Sequence, residues 1–302
     1  MGSYARRQFL IRPGALGDAL LTVPLLTRLA LNNPGQEVQW YQSPWTCELP
    51  WARILPLECA QVQVRNFESP EIAALYSENL EKVERQLSGM EGGDVIDVSS
   101  QAHETIAKIV AHLSTFTFYH WILAPMVRMQ QPPHAAERLC QVQFNPQAPV
   151  RRHDPPNRGE LPVDLQREWL RNPVPVAARD EHCTLIHPGA GSRKKQLPIE
   201  HWIEMAKRQR ATGRRVRYLL GPAELERGMR PMIEALDPGA TIATPELKLL
   251  PDLVGAAGEF WGHDSGPSHL AGMMGLPTHV FFGPTNPEVW RPLGPRVTVY
   301  RF

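Results

Sequence analysis

Short apolar runs alternate along this chain with longer segments whose apolar residues recur at helical spacing. The run at 9–12 is followed by a glycine-bearing turn and then by 16–31, where leucine and valine recur every three or four residues. Strands that alternate with helices in this way favour a parallel α/β organisation. The first half of the chain contains further predicted strands at 38–41, 62–64 and 94–99, a polar-faced helix at 71–87 and a helix that ends near 110.

A proline-rich stretch interrupts this alternation in the middle of the chain. Residues 131–175 contain nine prolines, and proline is disfavoured inside both helices and sheets. We interpret about 145–175 as an interdomain linker, so the predicted domains are 1–175 and 176–302. The second domain repeats the alternation, with predicted strands at 184–187, 216–220, 241–243, 258–261 and 277–282 and predicted helices at 198–211, 223–236, 247–257 and 267–274.

The stretch 263–294 combines a polar turn, the start of a helix and an apolar strand. The turn runs from Asp264 to Pro267, and Pro267 suits the first helical position because its missing N–H would have no partner there. The free N–H groups of Gly266, Ser268 and His269 would point at a ligand above the turn. Unpaired amides and the helix dipole both favour an anion, so the turn predicts a phosphate site.

Composition limits the classes of function. A chain of 302 residues with 42% hydrophobic residues exceeds what one core usually organises and can fill two. The formal net charge of +1 and the lack of a long basic run argue against a nucleic-acid partner. Four widely spaced cysteines without a C-x-x-C pair argue against zinc or a disulfide framework, and they suit a reducing cytoplasm.

The sequence shows no cleaved signal and no apolar stretch long enough to span a membrane, so we expect a cytoplasmic protein. The aromatic run 116–121 leaves peripheral membrane contact open, although large aromatic residues more often form a buried wall. The remaining histidines have no metal-ligand spacing, and we expect no metal. These histidines are His103, His112, His120, His134, His153 and His201.

The polar turn belongs to a longer pattern of the form D-S-G-x-x-H-x-A-x-x-x-G-x-P followed by F-G-P-T. This pattern resembles the C-terminal signature of glycosyltransferase family 9, the heptosyltransferase family of lipopolysaccharide core assembly. A match over so many positions is specific, unlike a single glycine triplet. The matching residues are Asp264, Ser265, Gly266, His269, Ala271, Gly275, Pro277 and Phe282 to Thr285.

A second block near the N-terminus extends the resemblance. The family carries R-x-x-x-x-G-D-x-x-x-x-x-P after its first strand, and this chain has Arg12, Gly17, Asp18 and Pro24 at those offsets. The block follows the predicted strand at 9–12, as it does in the family.

A third block opens the second domain. The family's H-P-G-A-G loop is present at 187–191, and it is followed by Lys195 and Pro198. Gln196 and Leu197 are departures, since family members usually have Arg and Trp there. The three blocks span most of the chain, and the match is weakest from about 40 to 180.

The resemblance implies a GT-B fold, in which two Rossmann-like domains with parallel sheets face a central cleft. It implies a metal-independent, inverting glycosyltransferase, with heptose from ADP-heptose as the leading donor assignment. The implied acceptor is a glycan or glycolipid hydroxyl like that of the lipopolysaccharide core, which leaves peripheral contact with the inner membrane open. No cofactor is expected beyond the nucleotide-sugar substrate.

The resemblance also assigns the two residues of the chemical step. Asp18 is the implied general base for the acceptor hydroxyl and, with Gly17, contacts the acceptor. Its position alone favours a plainer interpretation, because an acidic residue in the first turn stabilises a helix. Lys195 would stabilise the charge that grows on the departing diphosphate. The adjacent Lys194 stays open for that role, and so does a purely solvated charge run.

The donor site is implied to lie in the second domain. Asp264 would bind hydroxyls of the donor sugar or, alternatively, cap its turn. His269 would contact the diphosphate or pack under the loop, and Glu224 would bind the ribose or begin its helix. The complete donor-binding set is Gly189, Ala190, Ser192, Lys194, Lys195, Glu224, Asp264, Ser265, Gly266, Pro267, His269 and Thr285.

Other functions stay open at this point. The altered pair at 196–197 leaves room for a family member that acts on a natural-product or protein acceptor. A GT-B nucleotide-sugar epimerase or hydrolase would need the same phosphate site but no acceptor. A non-catalytic nucleotide-sugar-binding scaffold is the third alternative, favoured by the few residues, 296–302, after the last motif.

Overall fold

The computed structural model describes residues 7–32, 34–75, 81, 93–98, 116–120, 134–140, 170–171 and 174–302. Within these ranges the strands form one sheet of five and one of six, and every pairing between them is parallel. The strands are β1 (Arg7–Ile11), β2 (Val38–Gln42), β3 (Val62–Asn66), β4 (Gly93–Asp97), β5 (Phe116–His120), β6 (Asp180–His187), β7 (Arg215–Leu219), β8 (Thr241–Ala243), β9 (Ala257–His263), β10 (Thr278–Phe282) and β11 (Val297–Arg301).

Both sheets have the strand order of a doubly wound fold. The first has the order β3-β2-β1-β4-β5, and the second has the order β8-β7-β6-β9-β10-β11. In each, the chain begins at a central strand, adds two strands on one side and then crosses to the other side. The predicted α/β class with two Rossmann-like parallel sheets is confirmed.

Each sheet lies in a compact unit of its own. Unit 1 comprises residues 1–51 and 56–164, and unit 2 comprises 52–55 and 165–302. Most of the linker predicted at about 145–175 falls outside the described residues. The division into domains at 1–175 and 176–302 therefore stays a prediction.

The helices follow the strands as the alternating pattern predicts. The first helix, predicted at 16–31, runs for 17 residues, most of which are buried. Packing of such apolar faces, rather than intrinsic propensity, supplies most of the stability of a helix in a folded protein. The helices are α1 (Leu16–Asn32), α2 (Trp51–Ile54), α3 (Pro70–Leu75), α4 (Ala135–Cys140), α5 (Ile199–Ala211), α6 (Pro222–Glu226), α7 (Met229–Leu236), α8 (Leu250–Gly255), α9 (Gly266–Met273) and α10 (Pro287–Trp290).

Each unit has its own apolar core. In unit 1, Leu10 and Trp40 are fully buried on neighbouring strands, and the ring of Trp40 meets that of Trp51 edge-on at 4.8 Å. In unit 2, Trp202 and Tyr218 are fully buried in a cluster between the sheet and the helices α5 and α7. Two independent cores agree with the expectation from length and composition.

The structure corrects two of the predicted helices. The helix predicted at 223–236 is two helices, α6 and α7, because Gly228 between them has a φ of 73°, a left-handed conformation that no helix continues through. The helix predicted at 247–257 is a 3₁₀ turn, Leu247–Leu249, followed by α8. A run of apolar residues therefore marked the buried segments correctly but missed the breaks.

Some elements were not predicted at all. Strand β11 extends the second sheet beyond β10, and helix α4 lies inside the proline-rich stretch 131–175, with Ala135, Ala136 and Leu139 buried. The helix predicted at 71–87 is described only as α3 and residue 81, and the helix ending near 110 lies outside the described residues. The backbone of 116–120 forms the edge strand β5, whereas the side chains of the aromatic run lie outside the described residues. No helix in the described ranges is both long enough and apolar enough to cross a membrane.

Candidate functional site

The second sheet has its topological switch point between β6 and β9. These two strands are neighbours, with His187 at the end of β6 paired with Gly262 near the end of β9. In doubly wound folds, ligands bind outside the carboxyl ends of the strands at this point. The loop 188–198 after β6 and the turn 264–267 after β9 therefore occupy the position of a ligand site.

Asp264 draws together three side chains at this site. Its Oδ2 accepts hydrogen bonds from Lys195 Nζ at 2.7 Å and from Thr285 Oγ1 at 2.8 Å. The ring Nε2 of His269 lies 3.7 Å from Oδ1. Four residues of the predicted donor-binding set thus meet at one carboxylate. The side chain of Asp264 is 7% exposed and that of Lys195 is 28% exposed, so the ammonium is the more accessible partner.

The electrostatics of Asp264 favour a permanent negative charge. Burial by itself raises the pKa of this carboxyl, but His269 and Lys195 outweigh that effect and hold the pKa well below its usual value. An ammonium has three N–H donors, and the bond to Asp264 uses one of them. Lys195 therefore keeps two donors for a ligand, and Oδ1 of Asp264 keeps lone pairs for hydroxyl groups.

The turn after β9 leads into α9 as predicted, but its amides are arranged differently. The N–H groups of Ser268 and His269 donate to the carbonyl of Ser265 at 3.1 and 3.2 Å, so the expectation that they point at a ligand is wrong. Gly266 is the first residue of the helix, where an N–H has no intrahelical acceptor. The segment from Ser265 to Pro267 is thus at the positive end of the helix dipole, and it is only half-buried.

His263 joins the two sides of the site, although no sequence motif assigns it a role. Leu197 N–H donates to Nε2 of this ring at 2.8 Å, so the proton is on Nδ1, which donates to Gly189 O at 3.2 Å. Burial lowers the pKa of His263 to about 4, which keeps the ring neutral and able to accept the bond from Leu197. The imidazole therefore connects both ends of the loop that carries Lys195 to the end of β9.

Two further side chains brace the same loop. Arg227 Nη1 and Gln196 Nε2 both donate to the carbonyl of Ala190, at 2.9 and 3.2 Å. Gln196 is one of the two departures from the family pattern, and its side chain bonds to the backbone of the same loop six residues earlier. Neither residue was predicted, because a contact with a backbone carbonyl leaves no signal in the sequence.

Glu224 is buried behind the loop. Its Oε2 accepts a hydrogen bond from Gly221 N–H at 2.9 Å, which is the helix-starting contact that the plainer interpretation proposed. Its Oε1 faces Gly189 so closely that a Cβ there would lie 2.0 Å away. Glu224 is only 5% exposed and packs against the buried side of the loop. Ribose binding by this residue stays a prediction.

Two of the predicted donor residues of the loop face solvent, whereas Gly189 and Ala190 are buried. Ser192 and Lys194 are exposed, and Ser192 makes no capping hydrogen bond although it precedes the 3₁₀ turn Arg193–Lys195. Of the two adjacent lysines, only Lys195 is held against Asp264. The geometry thus favours Lys195 over Lys194 as the residue that acts at the switch point.

In unit 1, Asp18 lies at the start of α1, after the central strand β1. Its Oδ1 accepts a hydrogen bond from Arg12 Nη2 at 2.8 Å, and its Oδ2 accepts one from Ala15 N–H at 3.1 Å. Arg12 is 4% exposed, and Nη1 donates to Val98 O beyond the neighbouring strand β4. Burial lowers the pKa of Arg12, and the charge of Asp18 opposes that shift.

This arrangement combines the two interpretations of Asp18. The bond to Ala15 N–H is the helix-starting contact expected of an acidic residue in a first turn. However, the carboxylate is still one-third exposed, and each oxygen keeps a lone pair beyond the one it uses. Gly17, beside it, is half-buried. Asp18 is therefore oriented by Arg12 and remains open to a ligand.

Within the ranges that the structure describes, no group of three or more histidine, cysteine, aspartate or glutamate side chains is arranged to hold a metal ion. Of the histidines named above, His134 is buried and accepts a hydrogen bond from Ala136 N–H, and His201 packs edge-on against Trp202 and Phe281. His103, His112 and His153, and the side chain of His120, lie outside the described residues. The expectation that no metal is used stays a prediction.

Comparison with known proteins gives the family. The model of glycosyltransferase family 9 (heptosyltransferase) matches residues 114–302, more than half of the chain. A curated relative, lipopolysaccharide heptosyltransferase 1 of Pseudomonas aeruginosa, is 27% identical over 298 residues, which cover 93% of this chain and 79% of that protein. The matched region includes the whole of the second sheet and its switch point.

Solved structures share the fold. The glycosyl transferase family 9 protein from Veillonella parvula superposes with a TM-score of 0.69 at 18% identity and covers 100% of this chain and 88% of its own. The E. coli heptosyltransferase WaaC, solved with ADP, gives a TM-score of 0.66 at 21% identity, with 98% of this chain and 93% of that chain covered. The chain therefore has the fold of these solved family 9 proteins.

Proposed function

Because the chain belongs to glycosyltransferase family 9, we propose that it transfers heptose from ADP-heptose to a hydroxyl of a lipopolysaccharide-core glycan, with inversion at the anomeric carbon and without a metal. The observation that carries this proposal is the meeting of Lys195, Thr285 and His269 at Asp264. A cation and the N-terminal end of a helix can bind the diphosphate of a nucleotide sugar, and an ionised carboxylate can accept hydrogen bonds from the hydroxyls of its sugar. The ADP in the WaaC structure supports the choice of nucleotide.

On the donor side, Lys195 and α9 would stabilise the leaving group. As the bond between the anomeric carbon and the phosphate oxygen breaks, negative charge grows on the diphosphate. The two N–H donors that Lys195 keeps, together with the N–H of Gly266 and the dipole of α9, bind that charge more strongly as it grows. They take the place of a divalent cation in this mechanism, and we expect transfer to continue in the presence of a chelator.

Asp264 would hold the sugar while the bond breaks. Its Oδ2 is occupied by Lys195 and Thr285, whereas Oδ1, which His269 Nε2 approaches to 3.7 Å, keeps a further lone pair that would accept a hydrogen bond from a sugar hydroxyl. Since the carboxylate is fixed from two sides, those hydroxyls would be bound in one orientation. Correct placement of the anomeric carbon lowers the entropic part of the barrier.

On the acceptor side, Asp18 would act as the general base. It would take the proton from the acceptor hydroxyl while that oxygen attacks the anomeric carbon, which contributes roughly 10²–10⁴-fold to the rate. Arg12 holds Oδ1 in place, so the direction of the carboxylate is fixed by a buried partner. The acceptor glycan would lie against Gly17 and Asp18.

The test of the proposal compares the native protein with Asp18→Asn, because the amide keeps the size of the side chain and can still accept the bond from Arg12. We expect transfer from ADP-heptose to fall by at least about a hundredfold, with ADP affinity unchanged, since the residues proposed to bind ADP belong to unit 2. Near-normal turnover would remove Asp18 from the role of base.

The nucleotide is tested separately by thermal shift with ADP, UDP, GDP and TDP at equal concentration, because a ligand that binds only the folded state stabilises it more, the more tightly it binds. A preference for UDP would contradict the heptose assignment. Release of free sugar without acceptor would identify an epimerase or hydrolase instead. ADP binding without turnover on any acceptor would identify a scaffold, and turnover only on a natural-product or protein acceptor would change the substrate class.

A further inference from the structure

A second charged site lies at the opposite edge of the second sheet. The strands of this sheet are parallel, so the amino ends of β6, β7 and β8 share the edge that faces away from Lys195 and Asp264. A cleft of about 340 Å³ opens there. Its walls include Arg210, Arg214, Arg215, Arg217, Cys183 and Asp180. We refer to it as the arginine cleft.

Three of its four arginines are held in place by fixed partners. Arg210 forms a bidentate ion pair with Asp237, in which Nη1 donates to Oδ1 and Nη2 donates to Oδ2, both at 2.8 Å. Arg214 Nε donates to Thr184 Oγ1 at 2.8 Å and lies 3.2 Å from Glu259 Oε1. These contacts set the directions of the guanidinium groups before any ligand arrives, which reduces the entropy lost on binding.

The pairing leaves donors unused on the cleft side. A guanidinium carries five N–H groups, and the described bonds of Arg214 use Nε alone. Arg215 pairs with Asp180 through Nη2. Arg217 is exposed and makes no ion pair with any residue that the structure describes. Arg217 therefore keeps all five donors, whereas Arg214 and Arg215 each keep four. Of these two, Arg214 is the better ordered, since its Nε meets two acceptors and its side chain is 22% exposed, against 73% for Arg215.

The acidic partners of the arginines leave the positive charge on the cleft side uncovered. The side chains of Asp237 and Glu259 are only 10% and 15% exposed, so they lie behind the guanidinium groups rather than in the cleft. Burial, followed by the charge of Asp180, raises the pKa of the Cys183 thiol, which stays neutral and adds no negative charge. Among the described residues that line the cleft, Asp180 is the only acidic one.

From this geometry we propose that the arginine cleft binds a phosphate group of a phosphorylated ligand, with Arg214 and Arg217 as its direct contacts. The planar fork of a guanidinium matches two phosphate oxygens, and such charge-assisted pairs are among the stronger hydrogen bonds in proteins. The volume exceeds that of a bare phosphate and lies in the range of small-molecule sites, so part of the group that carries the phosphate fits as well. The headgroup of an anionic lipid and a free phosphorylated metabolite share this chemistry.

The site is independent of the proposed sugar transfer. The donor site lies at the carboxyl ends of β6 and β9, whereas the cleft lies at the amino ends of β6 to β8. A failure of the transferase proposal would leave the arginine cleft unaffected, and the reverse also holds.

The experiment measures binding of inorganic phosphate by calorimetry and of vesicles by sedimentation, with phosphatidylglycerol in phosphatidylcholine against phosphatidylcholine alone. The variants are Arg217→Gln, which removes a side chain without an ion-pair partner, and Arg214→Gln/Arg217→Gln. The matched control is Arg208→Gln/Arg230→Gln, which removes the same charge from two exposed helical arginines outside the cleft. Phosphate binding is also measured in a Lys195→Ala background, so that the opposite edge of the sheet does not contribute.

We expect the double cleft variant to weaken binding by at least about tenfold, as for the loss of charge-assisted contacts, with Arg217→Gln intermediate and the control within about twofold. Binding of anionic vesicles but not of phosphate would identify a lipid headgroup, and binding of phosphate in the Lys195→Ala background but not of vesicles would identify a soluble compound. The proposal is overturned if the native protein binds neither, or if the control loses as much affinity as the cleft variants. Arg217→Gln keeps the test valid if the double variant unfolds.

Discussion

At the level of single residues, Asp264 organises the candidate donor site. It lies 69 positions from Lys195 and 21 from Thr285, yet both side chains bond to the same oxygen. This pairing balances the charge of Lys195 without using all of its donors. A bound diphosphate would share the ammonium with Asp264 rather than displace it, so Lys195 is ordered before the ligand binds.

We expect Lys195→Ala to weaken ADP binding by about 1.5–3 kcal/mol, the range for a charge-assisted hydrogen bond. Lys194→Ala is the matched control, because it removes the same charge from an exposed neighbour with no described ion pair. Calorimetric titration with ADP measures both. Equal losses in the two variants would indicate that only the general positive charge of the loop matters.

His263 is the second residue whose role depends on its environment. The neutral ring accepts a bond from Leu197 N–H and donates one to Gly189 O. Protonation of Nε2 would remove the acceptor and place a charge in a fully buried position. The geometry of the loop therefore requires the uncharged form.

This requirement predicts a pH dependence of stability. The pKa of His263 is about 4 in the folded protein against 6.5 ordinarily, so between these values the unfolded chain binds a proton that the folded chain does not. The free energy of unfolding should therefore fall as the pH drops from about 6.5 to about 4, by on the order of 3 kcal/mol from this one residue. Denaturant titrations across this range measure the effect.

The control for this prediction is His263→Leu, which removes the titrating group. The variant should be less stable than the native protein near pH 7, because the loop loses both bonds, but its stability should depend less on pH between 6.5 and 4. Identical pH profiles for the two proteins would show that His263 does not carry the dependence.

At the level of elements, the loop 188–198 packs directly against the start of helix α6, where Glu224 lies beside Gly189. The carboxylate of Glu224 occupies the space where a side chain at Gly189 would begin. The same carboxylate accepts the bond from Gly221 N–H that starts α6. Glycine at 189 is thus needed for packing, so that the loop can lie against the helix start.

Gly189→Ala should therefore disturb both the loop and the helix, because a Cβ would lie 2.0 Å from Glu224 Oε1. We expect a loss of stability of roughly 1–3 kcal/mol, typical of overpacking, together with weaker ADP binding. Gly191→Ala is the matched control in the same loop, since a Cβ there meets nothing within 4 Å. Thermal unfolding and ADP titration of both variants decide the point, and equal behaviour would refute the packing role.

The elements that could be predicted are those whose signal lies within their own few residues. Helix α1 and strands β2, β7 and β10 follow from the spacing of their own apolar residues, which is a property of a few neighbouring positions. The break at Gly228 was missed because the apolar spacing continues across it, whereas β11 was missed because its residues are only partly buried. An edge strand is defined by the strand it pairs with, and that information is not local.

At the level of the whole molecule, the two sheets have their own cores and their own switch points. Asp18 follows the central strand of the first sheet, and Lys195 and Asp264 follow the two strands at the switch point of the second. The proposed base and the proposed donor site are thus supported by different sets of core residues. Core substitutions in the two units should have separable effects on binding.

Leu26→Ala tests this separation. Leu26 is fully buried in α1 of unit 1, and its truncation should lower the free energy of unfolding by about 2–5 kcal/mol. ADP affinity of the folded protein should stay unchanged. Leu270→Ala, in α9 of unit 2, should lower stability by a similar amount and weaken ADP binding as well, because α9 carries the site. Weaker ADP binding in Leu26→Ala would show that the units are coupled.

The sequence by itself determined the fold class and the places where chemistry is to be expected. Alternating strands and helices require parallel sheets, and the loops that follow parallel strands end at one edge, so motifs after 12, 187 and 263 were bound to lie at carboxyl ends. The motifs also indicated the family, which the family model confirmed. These conclusions rest on short-range patterns, which a linear sequence displays directly.

Only the tertiary structure decided which of these residues lie in contact with one another. It paired Lys195 rather than Lys194 with Asp264, placed His263 between Gly189 and Leu197, and gathered arginines of α5 and β7 into one cleft. Each of these facts depends on distances between residues far apart in the chain. Such distances are fixed by sheet order and packing, which the periodicity of single segments does not contain.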